Sequence, residues 1–192
     1  LNQMVKLTTA TNMNKKTKLK SLSRFLQILD GTFPSGVFVH SFGLEPHIIK
    51  ENVKDIDGLK IYLKNLIIDQ YSKMEFVYIK KVFEALENNK LNLVKKLDNQ
   101  YGSYLTFEYA KASKNMGDNY FAQIKNLALK DIVKEYFQAI EEKKSESNEI
   151  IVLSAYAFDL DICMEDFIVM WTKKNLINIA ATSLKISRIK PS

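Results

Sequence analysis

The chain has one cysteine, three prolines, six glycines and two histidines in 192 residues. The lone thiol, Cys163, excludes a disulfide framework within the chain and favours a reducing compartment. So little glycine and proline, beside 46% hydrophobic residues, excludes wholesale disorder. No run of about eighteen apolar residues is present, so no membrane span is expected. The N-terminus lacks the apolar core and cleavage pattern of a signal peptide. A cytoplasmic, single-domain protein is expected, long enough to bury a core without cross-links.

The net charge is +6, but it is unevenly placed. Residues 1–20 hold Lys6, Lys15, Lys16, Lys18 and Lys20 and no acid, while the rest of the chain carries 23 basic and 22 acidic residues. The expected organisation is a basic, flexible tail over 1–20 and one helical domain over 21–192. The body shows no basic face with interleaved aromatics, so nucleic-acid binding is not expected of it. A contact through the tail remains the alternative.

What fills the chain is helical periodicity. Leu22, Phe25, Leu26 and Leu29 fall at i, i+3, i+4 and i+7, which places one apolar stripe on a short helix. Leu59, Tyr62, Leu63, Leu66 and Ile67 repeat the period after Asp55 or Asp57. Ser72 and Glu75 have capping-box spacing ahead of Phe76, Ile79, Val82, Phe83 and Leu86. Thr106 is a candidate cap for a longer helix with an apolar set running from Tyr109 to Leu127. That face is also a candidate dimer surface, with core packing the competing use. Glu141 to Asn148 reads as a polar connection. The run IIVLSAYAF has no second strand to pair with and is read as helix. The expected architecture is an all-α bundle of about eight helices.

One stretch differs from everything else: Asp30 to Glu45, DGTFPSGVFVHSFGLE, holds three of the six glycines. Three chemistries are weighed for it. Gly31 and Gly36 bracket four residues as in a phosphate loop, but Val37 and Phe38 stand where lysine and a hydroxyl residue are needed. His40 and His47 are two helical turns apart, about 10.5 Å at 1.5 Å per residue, too far to share one ion through bonds of roughly 2 Å. Pro46 also disrupts a helix spanning both. Cys163, beside Met164, reads as a buried small hydrophobe. His40 and Ser41 are neighbours whose side chains diverge in a helix or strand, and no acid is placed to orient the histidine. A small Ser/His hydrolase is retained only as an alternative. Shape survives best: Pro34 fixes one backbone angle, and Gly31 and Gly36 permit turns closed to other residues.

The same stretch resembles the early signature of UreF-type urease accessory proteins, roughly D-x-x-F-P-x-G-x-F-x-H-S-x-G-L-E. Asp30, Phe33, Pro34, Gly36, Phe38, His40, Ser41, Gly43, Leu44 and Glu45 match it. In KASKNMG, Ala112, Ser113, Met116 and Gly117 match a second family motif, A-S-x-x-M-G. There are departures. Asp118 and Asn119 stand where the family favours basic residues, NEIIVL replaces a His-Pro pair, and Ser183 falls where an arginine is usual. The chain ends at Ser192, ahead of a tail that members use for partner contact, so a divergent or shortened member is expected.

The resemblance implies a cytosolic, all-helical chaperone without catalytic residues, working as a homodimer. Its implied partners are a second urease accessory protein, apo-urease and a nickel-carrying accessory GTPase. It implies that nickel and GTP are handled by those partners, with no cofactor or metal bound here. The fourteen motif residues are the expected partner-interface positions.

Overall fold

A computed structural model describes residues 19–30, 44–50 and 52–186. Among them are nine α-helices and no strand: α1 over 19–29, α2 Leu44–Ile49, α3 Ile56–Asn65, α4 Glu75–Glu87, α5 Leu91–Tyr101, α6 Phe107–Ile124, α7 Asp131–Glu141, α8 Glu149–Asp159 and α9 Met164–Ile186. The all-α single domain read from periodicity is what forms.

The run IIVLSAYAF is the middle of α8, and its place explains its composition. Ile150, Ile151, Val152, Leu153, Ala155, Tyr156 and Ala157 are each at most 1% exposed. A helix that is apolar all round must be covered all round, and α4, α5, α6, α7 and α9 all pack against α8. The surrounding helices have one apolar stripe each. Phe25, Ile28 and Leu29 turn inward from α1, whereas Leu26 of the predicted stripe is 49% exposed. Phe25 meets Tyr156 and Phe167 with ring centroids 6.4 and 5.7 Å away. Each large apolar side chain buried this way contributes roughly 1.5–3 kcal/mol.

Three helices end alike. Asn89, Lys143 and Asp161 have φ of 52°, 57° and 56°, and the residue after each donates its N–H five residues back: Lys90 to Ala85, Lys144 to Ala139 and Ile162 to Ala157, at 2.8, 2.8 and 3.0 Å. This is the left-handed C-terminal cap that glycine usually fills, here built without glycine.

Asp55 caps α3, accepting from Gly58 N at 2.8 Å. The Ser72–Glu75 capping box does not form. Ser72 Oγ instead donates to Ile68 O at 2.6 Å, because α3 runs on into a π-helix, Leu66–Tyr71. That wider turn sends Tyr71 into the core against Trp171, 4.9 Å between centroids, and leaves Ile68 half-exposed. Thr106 stands at the start of α6 but makes no side-chain cap bond. Cys163 is exposed rather than buried, since it sits on the tight corner between α8 and α9. No helix among the described residues is long and apolar enough to cross a membrane.

Candidate functional site

Of the first motif, Phe33, Pro34, Gly36, Phe38, His40, Ser41 and Gly43 lie outside the described residues. Asp30 is exposed after α1. Leu44 is fully buried and anchors the start of α2, and Glu45 beside it faces solvent. Pro46 sits in the first turn of α2, where its missing N–H costs nothing.

The next turn of α2 brings His47 onto the α3 residue Tyr62, with ring centroids 5.0 Å apart. Together they open a groove of about 600 Å³ between α2, α3, the π-helix and the start of α6. Asn52, Asn65, Asp69 and Gln70 supply its polar groups, Ile61 its apolar rim, and Tyr109 its far wall.

Behind that wall lies a buried polar cluster. Glu75, 1% exposed, accepts from Gln70 Nε2 at 3.0 Å. Burial pushes its carboxyl above the usual 4.5; hydrogen bonds from Gln70 and Tyr101 oppose the shift, and the nearby Glu149 carboxylate adds to it. Burial likewise pushes the hydroxyls of Tyr71, Tyr101 and Tyr109 up. Glu149, first residue of α8, pairs with Lys174 of α9, both almost wholly buried. The lysine also lies over the Tyr120 ring, 5.3 Å from its centroid. Burial alone would lower the Lys174 pKa, but the Glu149 carboxylate and Tyr120 more than reverse this, and it stands above 10.5. Taking one partner from such a pair leaves a buried charge uncompensated.

The second motif is described in full, and all of it is buried. Ala112, Ser113 and Met116 are 6, 5 and 3% exposed, and Gly117 is buried beside them. The apolar face of α6 is thus spent inside the chain and is not free for a dimer. Its predicted end differs too, because α6 stops at Ile124 and Leu127 is half-exposed. Gly117 shows why the motif needs small residues. A Cβ built there would stand 1.7 Å from Ser147 O and 2.8 Å from Glu149 N. The turn leading into α8 lies directly on the glycine.

That turn is the segment read as a polar connection. It is polar but not solvated: Ser145, Ser147 and Asn148 are 7, 0 and 2% exposed. Asp98 of α5, itself wholly buried, holds them. Its carboxylate accepts from Tyr136 Oη at 2.9 Å, Ser145 Oγ at 2.7 Å, and the backbone N–H groups of Ser147 and Asn148, both at 2.8 Å. Asn148 Nδ2 donates to the Asp98 carbonyl at 2.8 Å. Asp98 therefore serves as a remote N-terminal cap for α8, an anion at the positive end of the helix dipole. Burial nonetheless pushes its carboxyl up against the pull of these bonds. Asp118, where the family favours a basic residue, accepts from Ser147 Oγ and so belongs to the same seat. Asp98, Glu149 and Lys174 carried no sequence signal, because their partners lie far away along the chain; Glu75 stood out only as a capping-box residue, a role it does not fill.

The UreF family model matches residues 53–192. The second motif falls inside that span and the first ahead of it. A urease accessory protein UreF of Bacillus sp. (strain TB-90) is 29% identical over 148 residues, 77% of this chain and 65% of that relative. The chain thus spans under two thirds of the length of this curated relative. The family match itself covers well over half of the chain and includes α6, whose Ala112–Gly117 face is the seat just described, so this chain belongs to the UreF family.

Proposed function

We propose that this protein is a urease accessory protein, a cytoplasmic scaffold that assists nickel insertion without chemistry of its own. It joins a nickel-carrying GTPase to a second accessory protein and apo-urease, and it works as a dimer. Nickel and GTP are handled by those partners rather than held here. The observation that carries the reading is the family match over residues 53–192, reinforced by the DGTFPSGVFVHSFGLE signature ahead of it. A helical body built round one buried core helix suits a scaffold, since a surface held in one geometry loses little ordering entropy on binding. In this reading the signature residues from Asp30 to Glu45 contribute to partner contact.

Co-expression with the apo-urease subunits and the other accessory proteins of the same genome tests it, with and without a GTP analogue and nickel. Recovery of a complex containing the GTPase, together with urease activity that depends on this chain, is the expected result. Urease that matures equally well without the chain refutes the reading. Within a recovered complex, Glu45→Lys on the exposed face of α2 is expected to weaken partner retention while leaving helical content unchanged.

A further inference from the structure

Lysine and arginine fill 28 of the 192 positions, about one in seven. Other depressions among the described residues exceed that share: Lys80 and Lys130 are two of the eleven residues lining one, Lys81, Lys90 and Lys96 three of nine in another, Lys111 and Lys114 two of nine in a third. The groove beside α2 falls below it. Among the described residues twelve line it, and none of them is lysine or arginine. What they offer instead is acceptors and aromatic faces: the Asp69 carboxylate, the amide oxygens of Asn52 and Asn65, and the rings of His47, Tyr62 and Tyr109.

We propose that this groove docks an arginine side chain carried by a segment of a protein partner. The inference rests on the scaffold reading above, in which this surface meets other proteins. A guanidinium is planar, weakly hydrated and rich in donors, so it stacks on aromatic rings while its N–H groups reach oxygen acceptors. The tilted His47–Tyr62 pair, 55° between ring planes, and Tyr109 opposite supply the faces; Asp69 and the two asparagines supply the acceptors. A lysine ammonium is a compact, strongly hydrated charge and fits this combination less well. A nucleic-acid backbone is disfavoured, because phosphates need the cations that this lining lacks. The volume, about 600 Å³, lies within the roughly 300–1,000 Å³ of side-chain and small-ligand sites. Ile61, 61% exposed at the rim, gives the flanking residues of the segment an apolar contact. Lys73 meets Asp69 from outside at 3.1 Å, but both side chains are about two-thirds exposed. Such a pair contributes little and yields to a better-placed cation.

The test needs no partner. The isolated protein is titrated with N-acetyl-arginine methylamide, and the ring signals of His47, Tyr62 and Tyr109 are followed by NMR. The lysine and glutamate analogues serve as comparisons. Saturable shifts confined to those rings are expected with arginine, weaker ones with lysine and none with glutamate. Asp69→Asn should weaken binding about two- to five-fold, the range of an exposed charge contact, and Tyr62→Ala should abolish it in a protein of unchanged helical content. Shifts scattered over the surface overturn the proposal, as does arginine binding that survives Tyr62→Ala. If the partner complex forms with the wild type and equally with Asp69→Lys, the groove is not the docking site, whatever the scaffold does elsewhere. Failure of the wild type to form any complex counts against the scaffold reading alone, and the titration still decides the chemistry of the groove.

Discussion

Gly117→Ala adds one methyl group, and the structure fixes where it must go. The new carbon would stand 1.7 Å from Ser147 O, and Cβ contacts below 3.0 Å are essentially never found. The 145–149 turn must therefore retreat by at least about 1.3 Å, since all three atoms in conflict are backbone. The N–H groups of Ser147 and Asn148 sit 2.8 Å from Asp98, and a retreat of that size takes both out of hydrogen-bonding range. Each buried group left unpaired costs about 1–3 kcal/mol. Alanine returns at most about 1 kcal/mol through its better helix propensity. The net expectation is a loss of roughly 1–5 kcal/mol, a large part of the 5–15 kcal/mol typical of a domain. Urea unfolding followed by circular dichroism at 222 nm measures it. Gly102→Ala is the control: its nearest neighbour would be Ala110 Cβ at 3.8 Å, an ordinary contact, so no loss is expected. A Gly117→Ala protein within about 0.5 kcal/mol of wild type, the scatter of innocuous surface changes, refutes the reasoning and means that the turn is not seated on α6 as described.

Lys174→Met strands the Glu149 carboxylate and should cost about 3–5 kcal/mol, with most of it recovered in the Lys174→Met/Glu149→Gln double variant, read from denaturation midpoints. Glu75 titrates above its ordinary 4.5 in the folded protein, so its stabilising contribution is complete below about pH 4.5 and is lost as pH rises toward the folded value. Glu75→Gln stays neutral throughout, so its melting temperature relative to wild type should climb between pH 4.5 and 8; a flat difference contradicts the assignment. Lys143→Gly relieves a left-handed backbone at the end of α7 and should raise stability by roughly 0.5–1 kcal/mol. Asp159, which accepts from the N–H groups of Leu129 and Lys130 at 2.9 and 2.7 Å, caps the entry to α7. Asp159→Ala should cost about 1–2 kcal/mol and speed amide exchange in the first turn of that helix.

Helix positions were legible because periodicity is a local property: a stripe at i, i+3 and i+4 declares which face will be buried before any partner is known. IIVLSAYAF was read as helix only because no second strand was there to pair with it; that this helix is covered on every side emerged from its packing. The A-S-x-x-M-G motif was legible as a pattern, but its reason was not, because nothing near Gly117 in sequence says that Ser147 will lie upon it. The capping box failed for a related cause: the π-turn ahead of it answers to Tyr71 packing on Trp171, a contact a hundred residues away along the chain.

Local pattern was enough to establish an all-helical chain with a nearly neutral body, the apolar face of most helices, and two motifs specific enough to point to a family. The packing of distant segments settled the rest. It put α8 at the centre, seated the SESN segment on Gly117 under Asp98, brought Glu75, Glu149 and Lys174 into one buried cluster, and opened a groove without lysine or arginine beside α2. The division is physical. Apolar burial follows a face that the local pattern displays, whereas a buried polar group is tolerable only beside its partners, and Asp98 finds its own some fifty residues away.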